Sequence, residues 1–137
     1  MRHLNLIAVF DPEVTCVLMC ERRKPPYQGM LNFVGGKLEM GEDSVHAAYR
    51  ELREETGITG EDIALTHFMD LTYYEAGICL EVYTGRLHRE TPVSGEENDL
   101  LWVPLSTDFF DITRFAGEGN IGHIMAHILL AKEQVLR

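Results

Sequence analysis

The order of apolar and polar positions outlines a mixed set of strands and helices. Residues 3–10 and 14–21 are short apolar runs separated by Asp11-Pro12-Glu13, which reads as two strands joined by a turn. Leu31-Asn32-Phe33-Val34 forms a brief apolar approach to Gly35-Gly36. The period then changes. At about 100° per residue Val45, Ala48, Tyr49 and Leu52 fall on one stripe of a helix. Asp43 supplies a short side-chain oxygen for its N-cap, and Gly57 tolerates the left-handed conformation that closes such a helix. Residues 63–74 and 78–87 read as a long hairpin turning at Glu75-Ala76-Gly77, and 88–99 as a polar loop. A strand over 100–105, an irregular stretch over 107–119 and a helix over 121–136 complete the chain, the helix burying Ile121, Ile124, Ile128 and Leu129. The expected class is α/β.

Composition narrows the partners. A chain of 137 residues that is 45% hydrophobic and 25% charged fits one globular domain, expected to span 1–137, with a sizeable core. Its net charge of −10 argues against a nucleic-acid backbone or an anionic membrane as the main partner, since both select basic surfaces. A small anionic substrate stays compatible, because a bound cation reverses the local field. Cys16, Cys20 and Cys79 form neither a disulfide framework nor a zinc pattern. Cys16 and Cys20 share one strand face and are expected to point into a core. The apolar N-terminal run is broken by Asp11-Pro12 with no small-residue cleavage site after it, so it reads as a strand rather than a signal peptide. With no run long enough to cross a bilayer, the expected location is the cytoplasm.

The helix over 43–57 carries Glu51, Glu54 and Glu55 at the i, i+3, i+4 spacing that brings side chains together. Crowded carboxylates raise one another's pKa. Either they form a solvated acidic face salted by Arg50 and Arg53, or they bind a hard divalent cation that prefers oxygen ligands. The helix alone leaves the solvated face as the commoner solution. The basic, turn-rich segment 22–26 is either a solvated loop or a phosphate contact, with Arg23 the leading cation. Lys37 divides between phosphate contact and solvated turn in the same way. Asn32 offers a donor and an acceptor that suit the edge of a base, or bonds its own backbone in a turn. Tyr73, Tyr74 and Tyr83 read as strand residues on a half-buried face. His123 and His127 stand at i, i+4, but no glutamate follows His123 as zinc-protease chemistry needs, so they read as surface histidines.

The spacing of the whole stretch adds more. It runs Gly36, five residues, Glu42, seven residues, Arg50-Glu51-Leu52, one residue, Glu54-Glu55, one residue, Gly57-Ile58. Over 36–58 the chain resembles the Nudix hydrolases at every fixed position of their signature. The resemblance implies an α/β/α sandwich with a mixed sheet, a central box helix and a C-terminal helix. It also implies attack by water on phosphorus in a nucleoside diphosphate linked to a further group, with Mg²⁺ or Mn²⁺ as cofactor. Glu51, Glu54 and Glu55 match the family's metal ligands, with the Gly36 carbonyl as a backbone ligand. Glu42 and Arg50 match the pair that holds the loop to the helix, and Gly57 the residue that closes it. The general base is Glu54 or Glu55 by one family precedent and Glu97 by another. Glu97, five residues before Trp102, also resembles an additional metal ligand, with Glu96 second.

Substrate hints lie outside the box. In members that sanitise oxidised purine nucleotides, an asparagine ahead of Gly-Gly-Lys contacts the base, and Asn32 occupies the similar place. Those enzymes also use a tryptophan and acidic residues where this chain has Phe110 and Asp111, with Phe115 nearby. Arg23, Gly35 and Lys37 complete the expected substrate contacts. Tyr74 resembles a tyrosine of members acting on dinucleoside polyphosphates, while the proline of many ADP-ribose-cleaving members is absent. The expected activity is therefore a Mg²⁺-dependent pyrophosphohydrolase of nucleoside triphosphates, including oxidised purines. The alternatives are a dinucleoside polyphosphate or nucleotide-sugar hydrolase, or a nucleotide-binding module without turnover. A homodimer is a family-level expectation.

Overall fold

The structure, a computed structural model, describes residues 1–137. At the centre of the sheet β1 (Arg2–Phe10) and β5 (Ile78–Arg86) run parallel, in register from Arg2 opposite Ile78 to Phe10 opposite Arg86. Both are covered on both faces, and residues 6–10 of β1 accordingly read as a continuous apolar run rather than a strict alternation. β4 (Thr66–Tyr73) adds antiparallel to β5, with a bulge between His67 and Met69. On the other side β2 (Cys16–Glu21) meets β1 at Phe10 and Val17, then pairs with β3 (Leu31–Asn32) and along its length with β6 (Asp99–Pro104). Where β2 parts from β1, residues 34–37 lie along the free edge of β1. The Ile7 N–H donates to the Val34 carbonyl and the Asn5 N–H to the Gly36 carbonyl, both at 2.8 Å. The glycine pair is thereby held against the central strand.

Alternation along the strands divides the core into two layers. Ile7, Val9, Leu18 and Tyr83 pack with Ala48 and Leu52 of α1 (Ser44–Thr56). On the opposite face Leu6, Phe10, Val17, Met19 and Val82 pack with Ile121, Ile124 and Ile128 of α2 (Asn120–Leu130), which α3 (Lys132–Val135) follows. This is the expected α/β/α arrangement with a mixed sheet. No helix is long and apolar enough to cross a membrane.

α1 ends as its caps require. The Asp43 carboxylate accepts from the His46 N–H at 3.3 Å, and Gly57 adopts φ 82° while its N–H donates to the Arg53 carbonyl. Its buried face differs from the expected stripe: Val45 is exposed, while Ala47 joins Ala48 and Leu52. Tyr49 is half-buried and its hydroxyl accepts from the Leu65 N–H at 2.8 Å. β2 begins two residues later than the apolar run because the Asp11 carboxylate accepts from the Thr15 and Cys16 amides, extending the turn. Cys20 and Cys79 are buried, whereas Cys16 is only partly covered. The closing helix breaks at Ala131, so its last turn is separate. Of the three tyrosines expected in strands, Tyr83 is fully buried and Tyr73 is exposed, while Tyr74 lies beyond the end of β4 in the turn and is exposed. His123 and His127 are exposed, as expected of surface histidines.

Leu52 pins the box helix to the sheet and is fully buried. Leu52→Ala is expected to lower unfolding free energy by about 2–5 kcal/mol, read from urea denaturation, because the cavity can close only partly.

Candidate active site

The glycine pair passes through a gap that only hydrogen side chains fit. Gly35 has φ 144°, and a Cβ there would collide with the Asn5 carbonyl. At Gly36 the backbone is ordinary, but a Cβ would land on the Glu51 carboxylate. The strand and the helix therefore approach the loop from opposite sides, and Gly36 lies between Asn5 and Glu51. The Gly36 N–H donates to Asn5 Oδ1 at 2.9 Å.

Arg50 is the hub that ties the loop to the helix. Its Nε and Nη2 donate to the two Glu42 oxygens at 2.6 and 2.9 Å, and Nη2 also donates to the Lys37 carbonyl at 3.1 Å. Its Nη1 donates to Glu51 Oε1 and to Glu54 Oε2, each at 3.2 Å. The bidentate contact holds the Glu42 carboxyl well below the usual range, at about 2, with the Glu39 amide adding to it. The same bonds raise Arg50 further above its ordinary value.

Glu51, Glu54 and Glu55 surround a pocket with Gly36, Lys37, Glu96 and Glu97 along its rim. Burial first, then the charges of Glu51 and Glu97, push the Glu55 carboxyl up to about 7. Burial likewise raises Glu51, against the opposing pull of Arg50. As placed, Arg50 draws Glu51 and Glu54 to itself, and no three acidic side chains converge on one point. The donor set is nonetheless hard oxygen, crowded and short of positive charge at Glu55. That chemistry fits Mg²⁺ or Mn²⁺, and the Glu54 side chain is 53% exposed and so free of packing that would fix it.

Free of metal, Glu55 keeps its proton up to about 7, whereas an unfolded glutamate releases it near 4.5. Between those values the folded chain holds more protons, so this site's contribution to stability falls as pH rises through the window. Thermal unfolding of metal-free protein is expected to show that decline, and saturating Mg²⁺ to remove it.

Beside the acidic pocket a cleft of about 790 Å³ opens between β1, the loop after β2 and the start of α2. The two spaces share Gly36, Lys37, Glu55 and Asn98. Asn32 lines the cleft; its Oδ1 accepts from the Phe33 N–H at 2.8 Å, which leaves its amide NH₂ free to donate. Gly35 and Lys37 line it as expected.

Arg23, Phe110, Asp111, Phe115 and Tyr74 lie elsewhere. Arg23 pairs with Asp99 outside the cleft, and Arg22 lines it instead, because Arg22 continues the Cys20 side of β2 while Arg23 points the other way. The charge of Arg22 reaches Glu55 and lowers its pKa slightly. Phe110 lies against Gly122, and the Asp111 carboxylate is bonded to the Thr113 amide and hydroxyl, holding a turn. Neither lines the cleft. Phe115 is core, 5.3 Å from the Phe109 ring. Tyr73 lines the cleft where Tyr74, 82% exposed, does not.

Other lining residues had no signal in sequence spacing. Tyr27 donates to the Glu118 carboxylate at 2.7 Å, closing one wall between segments that are 91 positions apart. Asn120, the first residue of α2, adds a further amide. Asn5 is the one polar position between Leu4 and Phe10, a signal that could have been found in the strand pattern.

Known proteins share this architecture. A Caenorhabditis elegans Ap4A hydrolase structure superimposes with a TM-score of 0.75 at 20% identity, covering 96% of this chain and 99% of that one. An ADP-ribose pyrophosphatase of Bacillus subtilis is 33% identical over 103 residues, 73% of this chain and 54% of its own. An 8-oxo-dGTP diphosphatase of Escherichia coli is 42% identical over 50 residues, 36% of this chain and 39% of its own. The chain thus spans about half the length of the ADP-ribose pyrophosphatase. A family model described as the NUDIX domain matches residues 1–114. With the glycine loop, the Arg50 hub and the acidic helix face arranged on this sandwich, the chain belongs to the NUDIX domain family.

Proposed function

We propose that the chain is a divalent-metal-dependent pyrophosphohydrolase of purine nucleoside triphosphates, oxidised ones included. The observation that carries this reading is continuity between the acidic pocket and the amide-lined cleft through Gly36, Lys37, Glu55 and Asn98. A nucleotide whose phosphates lie at the carboxylates extends its nucleoside into the cleft, where Asn32 and Asn120 offer amide groups to a base edge. Similarity to the Escherichia coli 8-oxo-dGTP diphosphatase agrees with a triphosphate, and similarity to the Bacillus subtilis ADP-ribose pyrophosphatase agrees with a sugar-linked diphosphate, so the substrate preference rests on the cleft.

Glu51, Glu54, Glu55, Glu97 and the Gly36 carbonyl are the residues that would hold Mg²⁺ or Mn²⁺. Such a metal, when bound, neutralises phosphate charge and lowers the pKa of a coordinated water. The chain's own groups do the rest. Arg50 keeps Glu42, Glu51 and the loop in fixed relation. Lys37 and Arg22 supply cations at the junction and in the cleft. A carboxylate of the acidic set accepts the proton of the attacking water.

The test is a panel of dGTP, 8-oxo-dGTP, ADP-ribose and diadenosine tetraphosphate, with and without Mg²⁺, followed by product identification. The expected outcome is nucleoside monophosphate and pyrophosphate from a triphosphate, only with metal. Preferred cleavage of ADP-ribose would replace the substrate assignment. Binding without turnover across the panel would make the chain a nucleotide-binding module.

A further inference from the structure

We propose that Asn5 is a positioning residue of the candidate site, holding Gly36 so that its carbonyl is presented to the carboxylates of α1. The inference rests on the reading of the box as a metal and phosphate site, and it concerns a residue outside the box. Asn5 lies in the central strand and is 1% exposed. Every other position from 4 to 10 is apolar, so packing alone favours an apolar residue there. Its Nδ2 is buried without a partner, a cost the sheet does not recover from its own bonding.

What the side chain does contact is Gly36. The Asn5 N–H donates to the Gly36 carbonyl at 2.8 Å, while Asn5 Oδ1 accepts from the Gly36 N–H at 2.9 Å. Both polar groups of that one glycine are therefore held by one residue. The main-chain bond belongs to ordinary edge pairing, but the side-chain bond exists only with an acceptor at position 5. Gly35 wraps so closely that a Cβ would strike both the carbonyl and Oδ1 of Asn5, and Glu51 blocks Gly36 from the opposite side. Gly36 is thus fixed relative to Glu51 through Asn5. With the side-chain acceptor removed, the Gly36 N–H loses its partner and the peptide is held by the single main-chain bond to its carbonyl, about which it can rock while the strand, helix and Arg50 hub stay in place. A carbonyl keeps a second lone pair after accepting one hydrogen bond, so the clamp leaves it competent as a ligand.

Three readouts test the clamp in Asn5→Ala, or in Asn5→Leu should the alanine variant not fold, with Asn5→Asp as the variant that keeps the acceptor. In metal-free protein, exchange of the Gly36 amide should quicken in the alanine variant while amides of β5 keep their rates. Affinity for Mn²⁺, followed by electron paramagnetic resonance, should fall about tenfold or more, the range expected when the group orienting a ligand is lost. Nucleotide turnover should lose kcat with a smaller change in KM, and Asn5→Asp should recover Mn²⁺ affinity. Wild-type Mn²⁺ affinity and kcat in the alanine or leucine variant would overturn the inference, as would Asn5→Asp binding as weakly as Asn5→Ala. If the wild type itself neither binds Mn²⁺ nor cleaves any nucleotide, the proposed function fails. The Gly36 amide then still decides whether Asn5 holds the loop.

Discussion

Glu54→Gln is expected to lower kcat by about 10²–10⁴-fold while leaving the fold intact. The separation of the two effects comes from where Glu54 stands. Its side chain is 53% exposed, and its one side-chain hydrogen bond is the 3.2 Å bond from Arg50 Nη1, which a glutamine oxygen can still accept. No core packing changes, so the thermal midpoint should stay within the range of ordinary surface substitutions. What is removed is a negative charge on the face that would hold the metal. Steady-state kinetics at saturating Mg²⁺, alongside a melting curve, provide the measurement. Unchanged turnover would remove Glu54 from the chemistry and shift the role of base to Glu55 or Glu97.

Gly36→Ala should cost roughly 100-fold in kcat, the penalty typical of displacing a catalytic group by about 1 Å. The glycine is not needed for its backbone angles, since Gly36 lies outside the left-handed region; the atoms nearest an added Cβ are all of the Glu51 carboxylate. That carboxylate ends a flexible side chain, so the clash is relieved by moving Glu51 rather than by unfolding. Activity and Mn²⁺ affinity should fall together while denaturant stability changes little. Gly35→Ala provides the contrast. There the Cβ strikes the backbone of the central strand and φ is 144°, so stability itself should drop. If Gly36→Ala retained full activity, the Glu51 carboxylate would have no fixed role at its observed position.

Local structure was readable where neighbours in sequence decide it. Asp43 and Gly57 cap α1 because capping depends on residues within one turn, and the Glu42–Arg50 pair forms across a short loop. Short apolar runs were enough to assign the central strands, and the helical period the buried stripe of α2. The stripe of α1 was only partly readable, because whether Val45 or Ala47 faces the sheet depends on how the helix lies across strands it is not joined to.

The acidic face, its spacing and the glycine pair were present in the sequence by itself, and with them the family and the region of the chemistry. The cleft was not. Its wall joins Tyr27 to Glu118, its amides include Asn32 and Asn120, and of the neighbouring pair Arg22 rather than Arg23 lines it. Those residues meet only because β2 leaves β1 and residues 34–37 fill the space between. The same departure puts Gly36 against Asn5, a polar residue whose purpose the strand pattern could not state. Spacing along the chain encodes contacts within one element. Contacts between distant segments depend on which strands part and which face each side chain takes, and the folded sheet decides both.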